Sequence, residues 1–183
     1  MIISIFSLKG GVGKTPLAFT LAKDLDLNLQ SNDNSVIETI YKNRAKIGKP
    51  VLAENTVYDF GGFADTGILP IIEKSNALII PCTPDYNSIL RTVETLEAVK
   101  GHNDNILIAV TKTEKEDEFL YVVNSINEFF DDLNFFELRN SKIFKNSIET
   151  GKSLTELYNE TPLSKNAYRT IYKQYLELLE LFK

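Results

Sequence analysis

The stretch Ile2–Phe6 reads as a buried strand and runs through Ser7 and Leu8 into Lys9-Gly10-Gly11-Val12-Gly13-Lys14-Thr15, after which a helical pattern begins. Few features constrain a fold as strongly as a strand, a glycine-rich loop and a helix in that order. The glycines let the backbone curl so that successive N–H groups converge on one anion. The helix that follows presents the positive end of its dipole to the same point. A phosphate is the ligand this arrangement suits. Lys14 would lie along the terminal phosphates, and the Thr15 hydroxyl would ligate Mg²⁺.

Beyond the loop, short β-rich runs alternate with longer amphipathic segments. Strands are predicted at Ile2–Phe6, Leu27–Gln30, Thr56–Phe60, Ala77–Pro81 and Ile106–Thr111. Helices are predicted at Pro16–Asp26, Ser35–Asn43, Thr66–Lys74, Tyr86–Lys100, Glu116–Phe130, Lys142–Thr150 and Ser164–Phe182. This alternation implies an α/β fold, a mostly parallel twisted sheet with helices on both faces. Several strands are apolar throughout, as expected of strands covered on both sides. The stretch Ala45–Asn55, broken by Gly48 and Pro50, shows no regular pattern. With 183 residues and no linker, repeat or low-complexity tract, residues 1–183 are expected to form a single domain.

Composition narrows the function classes. The single cysteine, Cys82, excludes an internal disulfide and a one-chain cysteine metal site. No apolar run reaches the ~20 residues of a membrane span, and the start of the chain reads as a core strand rather than a signal peptide. A cytoplasmic location is the expectation. The net charge of −5 argues against wholesale nucleic-acid binding, but it hides an asymmetry. From Arg139 onward there are eight basic and five acidic residues, against twelve and twenty before it. That balance permits DNA contact through the C-terminal portion.

The loop departs from the ordinary Walker pattern, having Leu8 where that pattern has glycine. Lys-Gly-Gly-x-Gly-Lys-Thr instead resembles the deviant Walker A box of the ParA/MinD family of P-loop ATPases. The resemblance implies a P-loop NTPase fold, ATP and Mg²⁺ as ligands, and a nucleotide-dependent homodimer in which Lys9 reaches the partner's phosphates. Lys9 through Thr15 (Lys9, Gly10, Gly11, Val12, Gly13, Lys14, Thr15) would then bind nucleotide, with Lys9 and Lys14 also serving hydrolysis. The family usually has threonine or serine where this chain has Pro16. Proline lacks the N–H that commonly binds the α-phosphate and disfavours a helical Thr15. Weakened nucleotide affinity is the expectation.

Val57-Tyr58-Asp59-Phe60-Gly61-Gly62 resembles the family's Walker B strand and second switch. Asp59 would hold the Mg²⁺ shell, and Gly61 or Gly62 could offer an N–H to the γ-phosphate. Ser31-Asn32-Asp33-Asn34-Ser35 stands where the family has its first switch, and Asp33 matches the aspartate that orients water and supports the metal shell. Asp33 could equally be a helix N-cap before Val36. Leu138–Ser141 and Glu149–Leu154 resemble the family's C-terminal region, where a loop approaches the base. Thr111-Lys112-Thr113-Glu114 only faintly echoes a guanine-reading motif, so adenine is favoured by the resemblance.

In the last helix, Ala167, Ile171, Tyr175, Leu178 and Phe182 mark the core face. Lys165, Arg169 and Lys173 form a basic stripe with Tyr168 and Tyr172 beside it. The resemblance makes this stripe a candidate for nonspecific DNA binding, although an ordinary solvated face has the same pattern. Glu177 and Glu180 oppose a membrane-gripping tail. The implied function is a partition ATPase that segregates plasmid or chromosomal DNA with a ParB-type centromere-binding partner. Positioning of a non-DNA cargo, a dethiobiotin-synthetase-like ligase, or a nucleotide-binding scaffold without turnover are the alternatives.

Overall fold

The computed structural model describes residues 1–61 and 67–182. Among these, seven strands form one sheet: β1 (Ile2–Phe6), β2 (Asn28–Ser31), β3 (Ala45–Ile47), β4 (Thr56–Phe60), β5 (Ala77–Cys82), β6 (Ile106–Thr113) and β7 (Asn134–Arg139). Their order is β3-β2-β4-β1-β5-β6-β7 and every pairing is parallel. The helices are α1 (Lys14–Asp24), α2 (Ile37–Ile40), α3 (Leu69–Lys74), α4 (Tyr86–Val99), α5 (Glu116–Asn127), α6 (Lys142–Thr150), α7 (Leu154–Asn159), α8 (Pro162–Ala167) and α9 (Arg169–Glu180).

Side chains alternate across each strand, so the sheet feeds two cores. Ile3, Ile5, Val57 and Ile79 pack with residues of α1, α6, α7 and α9. Ile2, Phe6, Tyr58, Phe60 and Ile80 pack on the other face with Ile72, Ile89, Leu96 and Val122. A sheet covered in this way explains strands without a polar face. It also places β1 centrally, between β4 and β5, where the chain changes direction across the sheet. In such sheets ligands bind beyond the carboxyl ends of the strands at that reversal. The loop after β1 lies there.

Two strands escaped the sequence pattern. β3 is a three-residue edge strand, and pairing fixes it rather than propensity: Leu29, Gln30 and Ser31 align with Ala45, Lys46 and Ile47. The Gln30 amide then clips the chain beyond it, donating to Val51 O and accepting from Val51 N–H, each at 2.9 Å. β7 is the other edge and only partly buried, so its mixed polarity carried no clear period. The short α7 was not predicted either, although Ser153 and Glu156 form a reciprocal capping box there.

The final helix is divided at Tyr168, between α8 and α9. Ile171, Tyr175, Leu178 and Phe182 are buried as expected, but Ala167 is exposed because it ends the separate α8. The predicted helix over 35–43 shrinks to Ile37–Ile40. That over 66–74 is described only as Leu69–Lys74.

Candidate functional site

Gly13 has φ 92° and precedes α1, a left-handed conformation that glycine adopts without a Cβ penalty. Gly11, at φ 77°, turns the loop in the same sense. The first intrahelical bond runs from Leu17 N–H to Gly13 O at 3.2 Å, so the N-terminal donors of α1 are free of the helix ladder. Pro16 occupies the third helical position and removes one of them. Thr15 is nevertheless helical, contrary to the expectation that proline would push it out. Its side chain is held by Asp59, and this bond outweighs a modest local preference.

Lys14 is buried, at 7% exposure, and its Nζ donates to Lys9 O at 2.9 Å. Burial lowers its pKa from the usual lysine value, against the opposing charges of Asp59 and Asp33. Asp59, one residue before the end of β4, lies beside both β1 and β2, aligned with Ile5 and with Ser31. Its Oδ2 accepts from Thr15 Oγ1 at 2.7 Å and from Ser31 Oγ at 3.2 Å. Its Oδ1 is buried with no hydrogen-bond partner among the described residues. Burial raises the Asp59 pKa, although the Thr15 and Ser31 hydroxyls and the Lys14 charge oppose the shift.

A cavity of about 450 Å³ opens over the loop. Residues 10–17 and Asp33 line it, as do Lys112 of β6, Arg139 of β7, Asn140 after it and Phe144 of α6. Asp33 is thus a cavity residue. It does not cap α2, whose N-cap is Val36, and its Oδ1 instead accepts Asn34 N–H at 2.9 Å. Gly61 is packed against the same segment: its N–H donates to Asn32 Oδ1 at 2.6 Å, and a Cβ there would lie 3.3 Å from Asp33 Cβ. Its N–H is therefore taken up by the Ser31–Ser35 segment. Gly62 lies outside the described residues.

Lys9 does not line the cavity; its charge acts on Asp85, the N-cap of α4. Lys112, to which sequence assigned no role, belongs to the site. It sits at φ 60° beside an irregularity in the β6·β7 register, and its Nζ donates to Gly11 O at 2.7 Å. Thr111 Oγ1 donates to Val12 O at 2.8 Å, so the end of β6 grips the loop twice. The available signal was the abrupt end of an apolar strand at Thr111-Lys112. Phe144 and Lys145 line the cavity without any local motif to announce them.

The basic stripe lies apart from this cavity. Lys165 is on α8, Arg169 and Lys173 are on α9, and all three are exposed. Tyr158 stacks on Tyr172 with ring centroids 3.9 Å apart, and Lys165 Nζ lies 6.0 Å from the Tyr158 centroid. Among the described residues no helix is long and apolar enough to cross a membrane.

The site fits a magnesium–nucleotide. A buried carboxylate with one oxygen unpartnered among the described residues stands beside a threonine hydroxyl, and helix N–H groups outside the helix ladder and a lysine line the same cavity. The cavity also has room and apolar lining for more than a phosphate chain.

No protein-family model matches the chain, and no curated protein matches it in sequence. Solved structures do. Apo McdA of Cyanothece is 15% identical, with a TM-score of 0.65 over 95% of this chain and 98% of that one. The septum site-determining protein MinD of Pyrococcus horikoshii, complexed with Mg-ADP, is 12% identical with a TM-score of 0.60 over 92% of each chain. A ParA family ATPase of Chlorobium tepidum is 13% identical with a TM-score of 0.57, over 93% of this chain and 97% of that one. The all-parallel sheet, the loop after its central strand and these neighbours together show that the chain has the ParA/MinD-type P-loop ATPase fold.

Proposed function

We propose that this chain binds and hydrolyses ATP with Mg²⁺, and that it works as a partition ATPase whose nucleotide-bound dimer holds DNA nonspecifically while a ParB-type partner triggers release. The observation that carries the reading is the Thr15–Asp59 pair beneath the glycine loop, with Lys14 buried next to it. Bound Mg²⁺ supplies charge neutralisation at the phosphate oxygens, and Thr15 Oγ1 and Asp59 are the groups that would hold it. Lys14 exchanges its bond to Lys9 O for phosphate oxygens. Asp33, at the cavity, orients the attacking water. Lys9 stands outside its own chain's cavity, which suits a cation that serves the partner's phosphates in a dimer.

The cargo reading is supported by the ParA name of one neighbour and by the exposed cations Lys165, Arg169 and Lys173. Phosphate contacts from such a face carry no sequence preference and weaken with salt. The test is nucleotide titration and phosphate release with magnesium, with and without duplex DNA, alongside Lys14→Ala. Saturable ATP binding lost in Lys14→Ala, and DNA binding that needs ATP and weakens in the Lys165→Ala/Arg169→Ala/Lys173→Ala variant, are expected. No affinity for any nucleoside triphosphate would remove the ATPase reading. ATP binding without DNA binding at low salt would remove the DNA-partition reading.

A further inference from the structure

As the edge strand among the described residues, β7 pairs there with β6 alone, so its outward main-chain groups have no ladder partner among them. At one point a side chain of α9 takes that place. Gln174 Oε1 accepts Arg139 N–H at 3.1 Å, and Gln174 Nε2 donates to Glu137 Oε2 at 2.7 Å. The other oxygen of Glu137 accepts from Thr113 Oγ1 at 2.6 Å and lies 3.8 Å from Arg139 Nε. One amide thus grips both the main chain of Arg139 and the carboxylate beside its guanidinium. The neighbouring Tyr175 is fully buried, and its hydroxyl donates to Asp24 Oδ2 at 2.9 Å, which fixes the rotation of α9.

Arg139 and the two residues after it line the nucleotide cavity. The glycine loop accounts for phosphates, so the remaining lining, with Leu138 and Phe144 beside Arg139 and Asn140, suits the nucleoside. Gln174 itself does not line the cavity. We propose that Gln174 is a positioning residue that sets the nucleoside-binding end of the cavity by holding Arg139 in place. The inference rests on the nucleotide-binding reading. The C-terminal helix thereby takes part in nucleoside recognition without touching the ligand.

The test compares magnesium-ATP with magnesium tripolyphosphate, which lacks the nucleoside, by calorimetric titration. Gln174→Leu removes both bonds and is expected to weaken ATP binding about tenfold while leaving tripolyphosphate affinity unchanged. The exchanged pair Glu137→Gln/Gln174→Glu restores a donor and an acceptor in reversed sense, and is expected to return ATP affinity to within about twofold of the parent. Should Gln174→Leu lose its cooperative thermal transition, Gln174→Asn, polar but one methylene shorter, replaces it with the same expectation. Equal losses on both probes, no loss on ATP, or failure of the exchanged pair to restore binding overturns the inference. A parent protein that binds tripolyphosphate as tightly as ATP overturns this inference alone. One that binds neither overturns the nucleotide reading with it.

Discussion

Thr15 Oγ1 donates to Asp59 Oδ2 at 2.7 Å, joining the first turn of α1 to the buried end of β4 and leaving Asp59 Oδ1 without a partner among the described residues. A desolvated carboxylate in that position is costly to the fold and useful to a cation.

Asp59→Asn is therefore expected to stabilise the protein by about 1 kcal/mol at neutral pH while abolishing magnesium-dependent nucleotide binding. The pH dependence follows from the raised pKa. With the folded value above the unfolded one, Asp59 favours folding fully below its unfolded pKa, and that contribution is lost as pH rises through the folded value. Between the two values the unfolded state holds fewer protons at this group, so stability falls with rising pH. Chemical denaturation of both proteins across the acid range checks this, and a gap that narrows as pH rises refutes the assignment.

Pro16 costs α1 nothing, because the helix ladder begins at Leu17 N–H. Restoring a donor with Pro16→Thr is expected to leave the melting temperature nearly unchanged. A hydrogen bond to a charged group contributes about 1.5–3 kcal/mol, so ATP affinity should rise roughly tenfold or more. Unchanged affinity in a titration shows that the missing donor is irrelevant.

Asp33 lines the cavity, is exposed, and does not cap α2. Asp33→Ala is expected to keep ATP binding within about threefold and to reduce hydrolysis at least a hundredfold, the range of a positioned acid–base group. Single-turnover phosphate release measures it. Full turnover in the variant rules Asp33 out.

Lys9 contributes its carbonyl, and not a cavity-lining side chain, to its own site. Lys9→Ala is expected to preserve ATP binding by the monomer while removing ATP-dependent dimerisation. Light scattering during size-exclusion chromatography separates the two states. A dimer that persists in the variant with ATP rejects the trans role of Lys9.

Wherever chemistry and period coincide locally, the chain was legible as written. The loop from Lys9 to Thr15, the strands Ile2–Phe6 and Thr56–Phe60, and the helix Lys142–Thr150 were readable because propensity, pattern and turn chemistry agree within a few residues. The same local logic marked Asp59, an acid at the end of an apolar strand. What only the tertiary structure decided are the features made by residues far apart. β3 exists because β2 pairs with it, and β7 because β6 does. Lys112 belongs to the site because the β6 end lies across the loop, 101 positions away in sequence, and Gln174 reaches Arg139 only because α9 packs on the sheet edge. Asp33 could not be separated from a helix cap until the start of α2 was fixed. Local sequence sets which conformations are cheap; burial and long-range hydrogen bonds select among them, and those depend on the whole sheet being assembled.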